Sequence, residues 1–297
     1  MSAAPVKRVT VPALRAMKSQ QRIGVLTAYD FPSAKIADAA GTDVILVGDS
    51  LGMVVLGYPD TLSVTVEDML HHTRAVARGV TRALVVGDMP YLSYHVSIEE
   101  SVRNAGRFIQ AGAQAVKVEG GKPSRIRTIE AILDAEVPVM GHIGLTPQSV
   151  NAIGGFKLQG KNAEDARRLI EEAEALDRAG CFALVLECVP AELAAFITGR
   201  ISIPTIGIGA GPRCDGQVLV LHDLLGLYQG TSPKFVRKYA DLGAEMQSAL
   251  EHYLRDVREG TFPTEAESFH GTSEEELKRL YGSCDSEGIV VEIQAKS

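Results

Sequence analysis

Short apolar runs alternate with longer amphipathic stretches along most of the chain. Runs that are rich in β-branched residues and leucine, and that end at turn signals, are typical of strands buried on both faces. The longer stretches repeat apolar residues with the helical period, and several begin at Thr or Ser and end at Gly. The pattern predicts strands at 23–28, 44–47, 84–86, 115–118, 137–140, 182–186, 203–208 and 218–221, and helices at 33–40, 66–78, 97–111, 124–135, 162–179, 191–198 and 236–257.

The order of these elements indicates the fold class. Strict alternation of strand and helix implies parallel strands joined by right-handed crossovers. Eight such units in a chain of 297 residues predict an α/β protein with a (β/α)8 TIM barrel, a fold that typically takes about 250 residues. An open doubly wound sheet is the alternative, but the G-x-G-x-x-G turn that usually follows its first strand is missing.

The two ends of the chain add to this barrel. Residues 11–21, with Thr10 as N-cap and Pro12 in the first turn, predict an extra N-terminal helix that closes the barrel bottom. No linker is evident, which predicts a single domain over residues 1–270. Residues 271–297 carry a charged run at 273–276 and an apolar run at 290–293. We predict a flexible tail, with a subunit-contacting segment as the alternative.

Polar residues stand at or just after the ends of separate predicted strands. Asp49, Asp88, Glu119 and Glu187 follow strands two, three, four and six, and His142 follows strand five. Because the carboxyl ends of barrel strands share one face, we expect these side chains to converge. A buried carboxylate is costly unless it is paired, hydrogen-bonded or bound to a cation. The sequence therefore predicts one charged site at this face.

A divalent metal is the simplest way to hold that much negative charge together. Asp49, Asp88 and Glu119 are the candidate ligands, because Mg²⁺ prefers oxygen ligands in near-octahedral geometry. In the alternative interpretation, each carboxylate caps the helix after its strand or pairs with an arginine. Three acids on adjacent strands favour the metal site.

Other residues at this face suggest catalysis. A partly desolvated Glu187 suits proton transfer near neutral pH, although a structural Glu bonded to backbone amides fits equally. Lys117, inside an apolar strand, can pair with a substrate carboxylate, pair with Glu119, or form a Schiff base. His142 can bond a substrate oxygen or be a satisfied core histidine. The glycine-rich loop at 207–211 can hold phosphate or make room for a bulky ligand.

Composition narrows the classes of function. The chain is 45% hydrophobic and 23% charged, which is ordinary for a globular protein, and its net charge of -7 argues against a nucleic-acid partner. No apolar run reaches the length of a membrane span, and we expect no secretory signal. The four cysteines have neither C-x-x-C nor zinc spacing, which predicts reduced thiols in a cytoplasmic protein.

Six longer motifs are together similar to one known family. They are LTAYD at 26–30, VGDSLGM at 47–53, VKVEGG at 116–121, GHIGLTPQS at 141–149, LECVP at 186–190 and IGIGAG at 206–211. In this order they resemble the ketopantoate hydroxymethyltransferase family over about residues 11–270. The resemblance implies a barrel of the phosphoenolpyruvate/pyruvate type and a Mg²⁺-dependent, aldol-like reaction.

The resemblance also implies substrates, assembly and site residues. Family members transfer a hydroxymethyl group from 5,10-methylenetetrahydrofolate to 3-methyl-2-oxobutanoate, giving 2-dehydropantoate for pantothenate biosynthesis, and they assemble as homodecamers. By motif match, Asp49 and Asp88 fall on metal ligands, Glu119 on a third acidic metal-site position, and Glu187 on the proton acceptor. The family's oxoacid-binding positions match Asp49, Ser50, Asp88 and Lys117.

We expect the reaction to pass through an enolate of the oxoacid that is bound to Mg²⁺. Glu187 would move the proton or assist opening of the folate ring, and His142 would support the developing oxyanion. A metal-dependent barrel lyase acting on a 2-oxoacid is one alternative, but such lyases carry a catalytic loop cysteine that no cysteine here matches. A barrel that only binds a metabolite is another, and the clustered carboxylates, Lys and His disfavour it.

Overall fold

A computed structural model describes residues 7–228, 230 and 233–282. By its internal contacts, the chain divides into two compact units, Met1–Gly243 and Ala244–Ser297. The first unit contains every strand of the described residues. The predicted single domain over residues 1–270 stays a prediction.

Eight parallel strands form a closed barrel in the first unit, in the order of the sequence. Each strand pairs with the next, and β8 pairs with β1 to complete the ring. The strands are β1 (Ile23–Thr27), β2 (Val44–Val47), β3 (Leu84–Asp88), β4 (Ala115–Glu119), β5 (Val139–Gly144), β6 (Ala183–Glu187), β7 (Thr205–Ile208) and β8 (Gly216–Leu219). The predicted (β/α)8 barrel is confirmed, and the open sheet is excluded.

Helices lie between the strands and after them. Local signals explain several boundaries: the side chain of Thr65 accepts a hydrogen bond from Asp68 N–H at one helix start, and Gly180 adopts a left-handed φ of 99° at one helix end. The helices are α1 (Val11–Ala16), α2 (Phe31–Ala39), α3 (Leu51–Val54), α4 (Val66–Gly79), α5 (Ile98–Gln110), α6 (Pro123–Asp134), α7 (Val150–Ile153), α8 (Ala163–Ala179), α9 (Ala191–Arg200), α10 (Leu221–Leu224), α11 (Leu242–Glu259) and α12 (Glu274–Tyr281).

The strands separate two apolar cores, one inside the barrel and one between strands and helices. In β3, Leu84 and Val86 belong to the interior core, whereas Val85 belongs to the outer core. Because strand side chains alternate, the same period places Asp88 on the interior side. By the same alternation in their own strands, the interior side also receives Lys117, Glu119, His142 and Glu187.

The N-terminal helix α1 closes the barrel at the amino ends of the strands, as predicted. Its Leu14 is fully buried and belongs to the interior core, together with Val9 before the helix and Ile23 at the start of β1. The helix is shorter than the predicted 11–21, because it has only six residues. Beyond it, Ser19 adopts a left-handed φ of 58° and donates its N–H to Asp215 (3.3 Å), which takes the chain out of the helix.

The last long helix starts later than predicted. Helix α11 begins at Leu242 rather than near residue 236. The N–H of Tyr239 instead donates to the carbonyl oxygen of Leu224 (2.8 Å), and the N–H of Leu242 donates to that of Leu225 (3.0 Å). Bonds to the end of α10 therefore replace the helical bonds that the pattern predicted.

The second unit contains most of α11 and the short helix α12. The predicted charged run forms the start of α12, where Ser273 and Glu276 form a capping box. The predicted apolar run at 290–293 lies outside the described residues, and the flexibility of the tail stays a prediction. None of the described helices is both long enough and apolar enough to cross a bilayer.

Candidate active site

Charged side chains meet in a cavity of about 1110 Å³ at the carboxyl ends of the barrel strands. Strand register explains the meeting, because Asp88 pairs with Lys117 across β3 and β4, and Glu119 pairs with His142 across β4 and β5. The structure thus brings together all the residues that the sequence singled out, although their roles stay predictions. These cavity-lining residues are Asp49, Ser50, Asp88, Lys117, Glu119, His142 and Glu187.

Lys117 and Asp88 form a buried ion pair. The Lys117 Nζ donates to both carboxylate oxygens of Asp88, at 2.7 and 2.8 Å, and lies 3.6 Å from Oε1 of Glu119. The main partner of the lysine is therefore Asp88 rather than Glu119. Removing one member of such a pair would leave an uncompensated charge in the barrel interior.

His142 lies between two carboxylates. Its Nδ1 is 3.4 Å from Oε1 of Glu119, and its Nε2 is 3.2 Å from Oε2 of Glu187. These distances allow ion pairs, but neither nitrogen has a hydrogen bond of good geometry among the described residues. The imidazole therefore links the acid cluster to Glu187 by charge and is not a fully satisfied core histidine.

Asp49 and Ser50 follow β2 and face the same cavity. The backbone N–H of Asp49 donates to Oδ2 of Asp88 (3.3 Å), and its own Oδ2 accepts from Nε2 of Gln148 (2.9 Å). The hydroxyls of Ser50 and the buried Tyr29 are hydrogen-bonded at 2.9 Å. Backbone and side-chain contacts thus hold this turn against β3.

The acids of the cluster differ in the direction of their pKa shifts. Burial, together with the charge of Asp88, raises the pKa of Asp49 well above its usual value. Burial also raises the pKa of Asp88, because it outweighs the nearby lysine. For Glu119, the charges of Lys117 and His142 outweigh burial and lower the pKa. Burial thus makes the charged form of both aspartates less favourable than it is in water.

The two basic groups stay protonated at neutral pH. Burial and the charge of Lys117 act to lower the pKa of His142, but Glu119 and Glu187 outweigh them and raise it to about 9. Burial likewise opposes the charge on Lys117, and the surrounding carboxylates raise its pKa above the usual value. Because a Schiff-base lysine needs a lowered pKa, this environment favours Lys117 as a cation that binds a carboxylate.

The residues present fit a divalent cation. Oε1 of Glu119 is buried and has no hydrogen-bond donor among the described residues. With all four acids ionised, one lysine and one imidazolium leave two negative charges unbalanced, and carboxylate oxygens suit a hard cation such as Mg²⁺. None of the three proposed ligands forms an ion pair with an arginine in the described part of the chain.

The arrangement would have to change for an ion to bind Asp88. Within the described ranges, no three His, Cys, Asp or Glu side chains already converge closely enough to hold a metal. Both oxygens of Asp88 are taken by Lys117. Cation binding therefore requires the lysine to move to another anion, and the metal site stays a prediction.

One wall of the cavity is apolar. Met53, Leu145, Phe156, Leu158 and Phe235 contribute apolar side chains to its lining. The ring of Phe235 lies over the 207–211 loop, where a Cβ added at Gly209 would come within 2.8 Å of it. The loop glycine thus makes room for an aromatic side chain of the chain itself, and the choice between phosphate and a bulky ligand stays open.

Sequence reasoning missed three buried polar residues of the site. Gln148 hydrogen-bonds Asp49, Tyr94 donates to Gln148 (2.5 Å), and Tyr29 hydrogen-bonds Ser50. Tyr29 and Gln148 lie within the quoted motifs. Nothing in the sequence around them indicates, however, that their side chains contact the charged residues. Only the distances identify them.

Comparison with known proteins gives a clear family match. The profile of ketopantoate hydroxymethyltransferase matches residues 8–265. The 3-methyl-2-oxobutanoate hydroxymethyltransferase of Syntrophomonas wolfei is 59% identical over 276 residues, which cover 92% of this chain and 99% of that protein. The enzyme of the same name from Clostridium botulinum is 56% identical over 274 residues, with coverage of 92% and 99%.

Solved structures share the fold at low sequence identity. Phosphonopyruvate hydrolase, in complex with oxalate and Mg²⁺, has a TM-score of 0.57 at 17% identity, covering 92% of this chain and 94% of that chain. The 2,3-dimethylmalate lyase, a member of the PEP mutase/isocitrate lyase superfamily, has a TM-score of 0.55 at 17% identity, with coverage of 91% and 94%. At this identity the likeness shows the fold alone, and it agrees with the predicted (β/α)8 barrel.

Proposed function

This chain belongs to the ketopantoate hydroxymethyltransferase family, and we propose that it transfers a hydroxymethyl group from 5,10-methylenetetrahydrofolate to 3-methyl-2-oxobutanoate. The product is 2-dehydropantoate, an intermediate of pantothenate biosynthesis. The observation that carries the proposal is the meeting of four carboxylates, one lysine and one histidine in a single cavity of a family member. Such clusters of charged groups are typical of catalytic sites.

Asp49, Asp88 and Glu119 would hold Mg²⁺ at the inner end of the cavity. When bound, the cation would polarise the keto group of the oxoacid and make the neighbouring C3–H more acidic. The support is the buried, donor-free Oε1 of Glu119 and the excess of negative charge around it. The cation would also favour ionisation of the two aspartates whose pKa values burial raises.

Lys117 and Ser50 would bind the carboxylate of the oxoacid. The protonated lysine lies within reach of both Asp88 and Glu119, so it can leave Asp88 without leaving the site. The hydroxyl of Ser50 is oriented by Tyr29 and faces the same cavity. A substrate carboxylate would thus replace Asp88 as the partner of the buried ammonium, which keeps its charge compensated.

Glu187 would remove the proton from C3 of the oxoacid. It is the last residue of β6, lines the cavity, and lies 3.2 Å from Nε2 of His142. A protonated His142 beside Glu187 would stand ready to support an oxyanion. Glu119 on the other side of the ring keeps the imidazole in this position.

The folate donor would lie along the apolar wall. A five-carbon oxoacid fills only a part of a 1110 Å³ cavity, which leaves space for a second organic substrate. Phe156, Leu158 and Phe235 offer apolar surface for a flat ring, and Lys157 and Lys234 line the same cavity with positive charge for carboxylates. The two substrates would thus approach each other between the apolar wall and the acids.

Isotope exchange and donor dependence test the proposal. Wild-type protein with Mg²⁺ should exchange the C3 hydrogen of 3-methyl-2-oxobutanoate for deuterium, and product should form only when methylenetetrahydrofolate is added. Glu187→Gln should lower exchange about 10²- to 10⁴-fold, the usual worth of a general base, with nearly unchanged oxoacid binding. The control variant Glu174→Gln, at a partly exposed glutamate paired with Arg200, should exchange normally.

The outcomes separate this function from its alternative. The alternative is a barrel lyase, and 2,3-dimethylmalate lyase shares the fold of this chain. Such a lyase would cleave a 2-oxoacid without any folate. Product formation without the donor would therefore contradict the transferase. Retained exchange in Glu187→Gln would show that another residue is the base, and it would not contradict the transfer reaction.

We also propose a homo-oligomer, a decamer by family resemblance, in the cytoplasm. In α11, Met246, Leu250, Tyr253 and Leu254 are exposed apolar side chains at helical spacing, which supports coverage by another surface. The free thiols of the described cysteines agree with a reducing compartment. Light scattering should give about ten times the 31.7 kDa chain mass; a monomer would contradict the assembly.

A further inference from the structure

A buried glutamine connects two of the proposed metal ligands. Gln148 lies in the 3-10 turn Pro147–Ser149 that follows β5, and it is 5% exposed. Its Nε2 donates to Oδ2 of Asp49 (2.9 Å), and its backbone N–H donates to Oε2 of Glu119 (3.2 Å). One residue thus contacts a carboxylate that follows β2 and a carboxylate at the end of β4.

The neighbours of Gln148 allow only one orientation of its amide. Nε2 also donates to the carbonyl oxygen of Met89 (2.9 Å), and Oε1 accepts from the hydroxyl of Tyr94 (2.5 Å). The Tyr94 oxygen accepts from the N–H of Glu119 (3.3 Å), so the phenol proton must point at Gln148. A flipped amide would turn its NH₂ group toward that proton and its oxygen toward Asp49, which is repulsive at both ends.

Tyr94 is itself held by Arg125, in the first turn of α6. The guanidinium lies 4.3 Å from the Tyr94 ring, one of its NH₂ groups donates to the carbonyl oxygen of Tyr94 (2.6 Å), and its Nε donates to that of Glu119 (3.0 Å). Neither Gln148 nor Tyr94 is among the described residues that line the large cavity. Both line a smaller cavity of about 440 Å³ instead, together with Arg125. The network therefore contacts the ligand side chains from outside the large cavity.

We propose that Gln148 is a positioning residue that orients Asp49 and Glu119 and thereby sets the affinity of the site for Mg²⁺. The inference rests on the proposed function, because it takes these two acids as metal ligands. A carboxylate that is held in one orientation loses less freedom when it binds a cation. Because the contacts run from the turn after β5 to one ligand position that follows β2 and another at the end of β4, a single residue keeps their spacing constant.

Titration calorimetry with Mn²⁺, on the full-length protein without substrates, tests the inference. Gln148→Met keeps the length of the side chain and the backbone bond to Glu119, but it removes the side-chain amide that contacts Asp49, Met89 and Tyr94. It should weaken Mn²⁺ binding about 10- to 100-fold. Tyr94→Phe keeps Gln148 but removes the hydroxyl that fixes its amide, and it should weaken binding about 2- to 10-fold, the worth of one neutral hydrogen bond.

A second glutamine provides a matched control at the other end of the barrel. Gln114, next to β4, accepts from the N–H of Val85 (2.9 Å) and donates to the carbonyl oxygen of Gly112 (2.7 Å). Gln114→Met should lower the melting temperature and leave Mn²⁺ affinity unchanged. In turnover assays, Gln148→Met should regain near wild-type kcat at high Mg²⁺, because positioning can be offset by a higher cation concentration, whereas Gln114→Met should need no more Mg²⁺ than the wild-type protein.

The outcomes distinguish this inference from the proposed function. Equal Mn²⁺ affinity of Gln148→Met and wild-type protein would overturn the positioning role. An equal loss in Gln148→Met and Gln114→Met would also overturn it, since the effect would then be a general loss of stability. Absence of Mn²⁺ binding by the wild-type protein would instead contradict the metal site itself.

Discussion

The two ends of the barrel treat buried acids in opposite ways, and β2 has one aspartate near each end. At the amino end, Asp43 accepts from the N–H of Gly24 (3.0 Å) and from Arg82 (2.9 Å), so both of its oxygens have donors. At the carboxyl end, Asp49 accepts from the amide of Gln148 and lies beside Asp88, another acid. The first acid is compensated by its surroundings, and the second is crowded by like charge.

Other acids at the amino ends follow the first pattern. Burial alone would raise the pKa of Asp38, but donors from the backbone of Thr81, Arg82 and Ala83 and from the Thr81 hydroxyl lower it. For Asp215, bonds from Thr205 and Lys18 likewise outweigh burial and lower the pKa. These acids stabilise the turns that lead into the strands.

The difference teaches which carboxylates are available for chemistry. A carboxylate that already accepts hydrogen bonds from several backbone N–H groups has few free lone pairs with which to bind a cation. The raised pKa values of Asp49 and Asp88 indicate instead that too few donors surround these carboxylates. Such a site lowers the stability of the ligand-free protein and is restored by what binds there. The same substitution, Asp to Asn, therefore tests both ends of the barrel.

The largest contrast is expected in turnover. Asp49→Asn removes a proposed metal ligand and should lower product formation about 10²- to 10³-fold or more, as is typical when charge stabilisation in a site is lost. Asp38→Asn should keep the turnover of the folded protein, because Asp38 bonds only turn residues. Steady-state assays at several Mg²⁺ concentrations measure both variants. Similar losses in the two would remove the distinction between the ends.

Cation binding should stabilise only a protein with an intact carboxyl-end site. At a Mg²⁺ concentration about 100 times Kd, the free energy of unfolding should rise by about 2.7 kcal/mol. Asp38→Asn should keep this increment, and Asp49→Asn should lose most of it. Urea unfolding with Mg²⁺ and with EDTA gives the values; an increment that persists in Asp49→Asn would place the ion elsewhere.

Without a cation, Asp38→Asn and Asp49→Asn should change the free energy of unfolding in opposite directions. At about pH 7, Asp38→Asn should destabilise the fold by about 2 kcal/mol, because bonds to a charged acceptor contribute about 1.5 to 3 kcal/mol each and an amide accepts on one atom only. Asp49→Asn should stabilise it, since the raised pKa of Asp49 means that the fold disfavours the charged form of this carboxyl. Urea midpoints in EDTA measure both; a shared sign would contradict the comparison.

The smallest expected difference between the two ends is in how their aspartates make stability depend on pH. The folded-state pKa of Asp38 lies below the unfolded value, so its contribution is present above about pH 4 and is lost as pH falls through the folded pKa. The pKa of Asp49 is raised, so its contribution is present below that unfolded value and is lost as pH rises through the folded pKa. The stability gap between wild type and Asp38→Asn should therefore shrink in acid, which unfolding curves at several pH values would detect.

Much of the fold and part of the site could be predicted from residue order. The alternation of strands and helices is a property of neighbouring residues, and it predicted that Asp88 would lie with the other charged residues at the carboxyl ends of the barrel strands. Helix ends were less accurate where a distant contact replaced a local one. The early end of α1 depends on Asp215, almost two hundred residues away, which no local pattern reveals.

The sequence by itself determined the barrel, the face on which its charged residues lie, and the family. These follow from the alternation of apolar and amphipathic stretches and from the order of the motifs, which are properties of residues close together in the chain. Only the tertiary structure assigned Asp88 as the partner of Lys117 and His142 to the space between Glu119 and Glu187. The same holds for Gln148, whose contact with Asp49 joins residues 99 positions apart. Such partners, and the pKa directions that they produce, follow from distances and burial that exist only after the strands have closed into a ring.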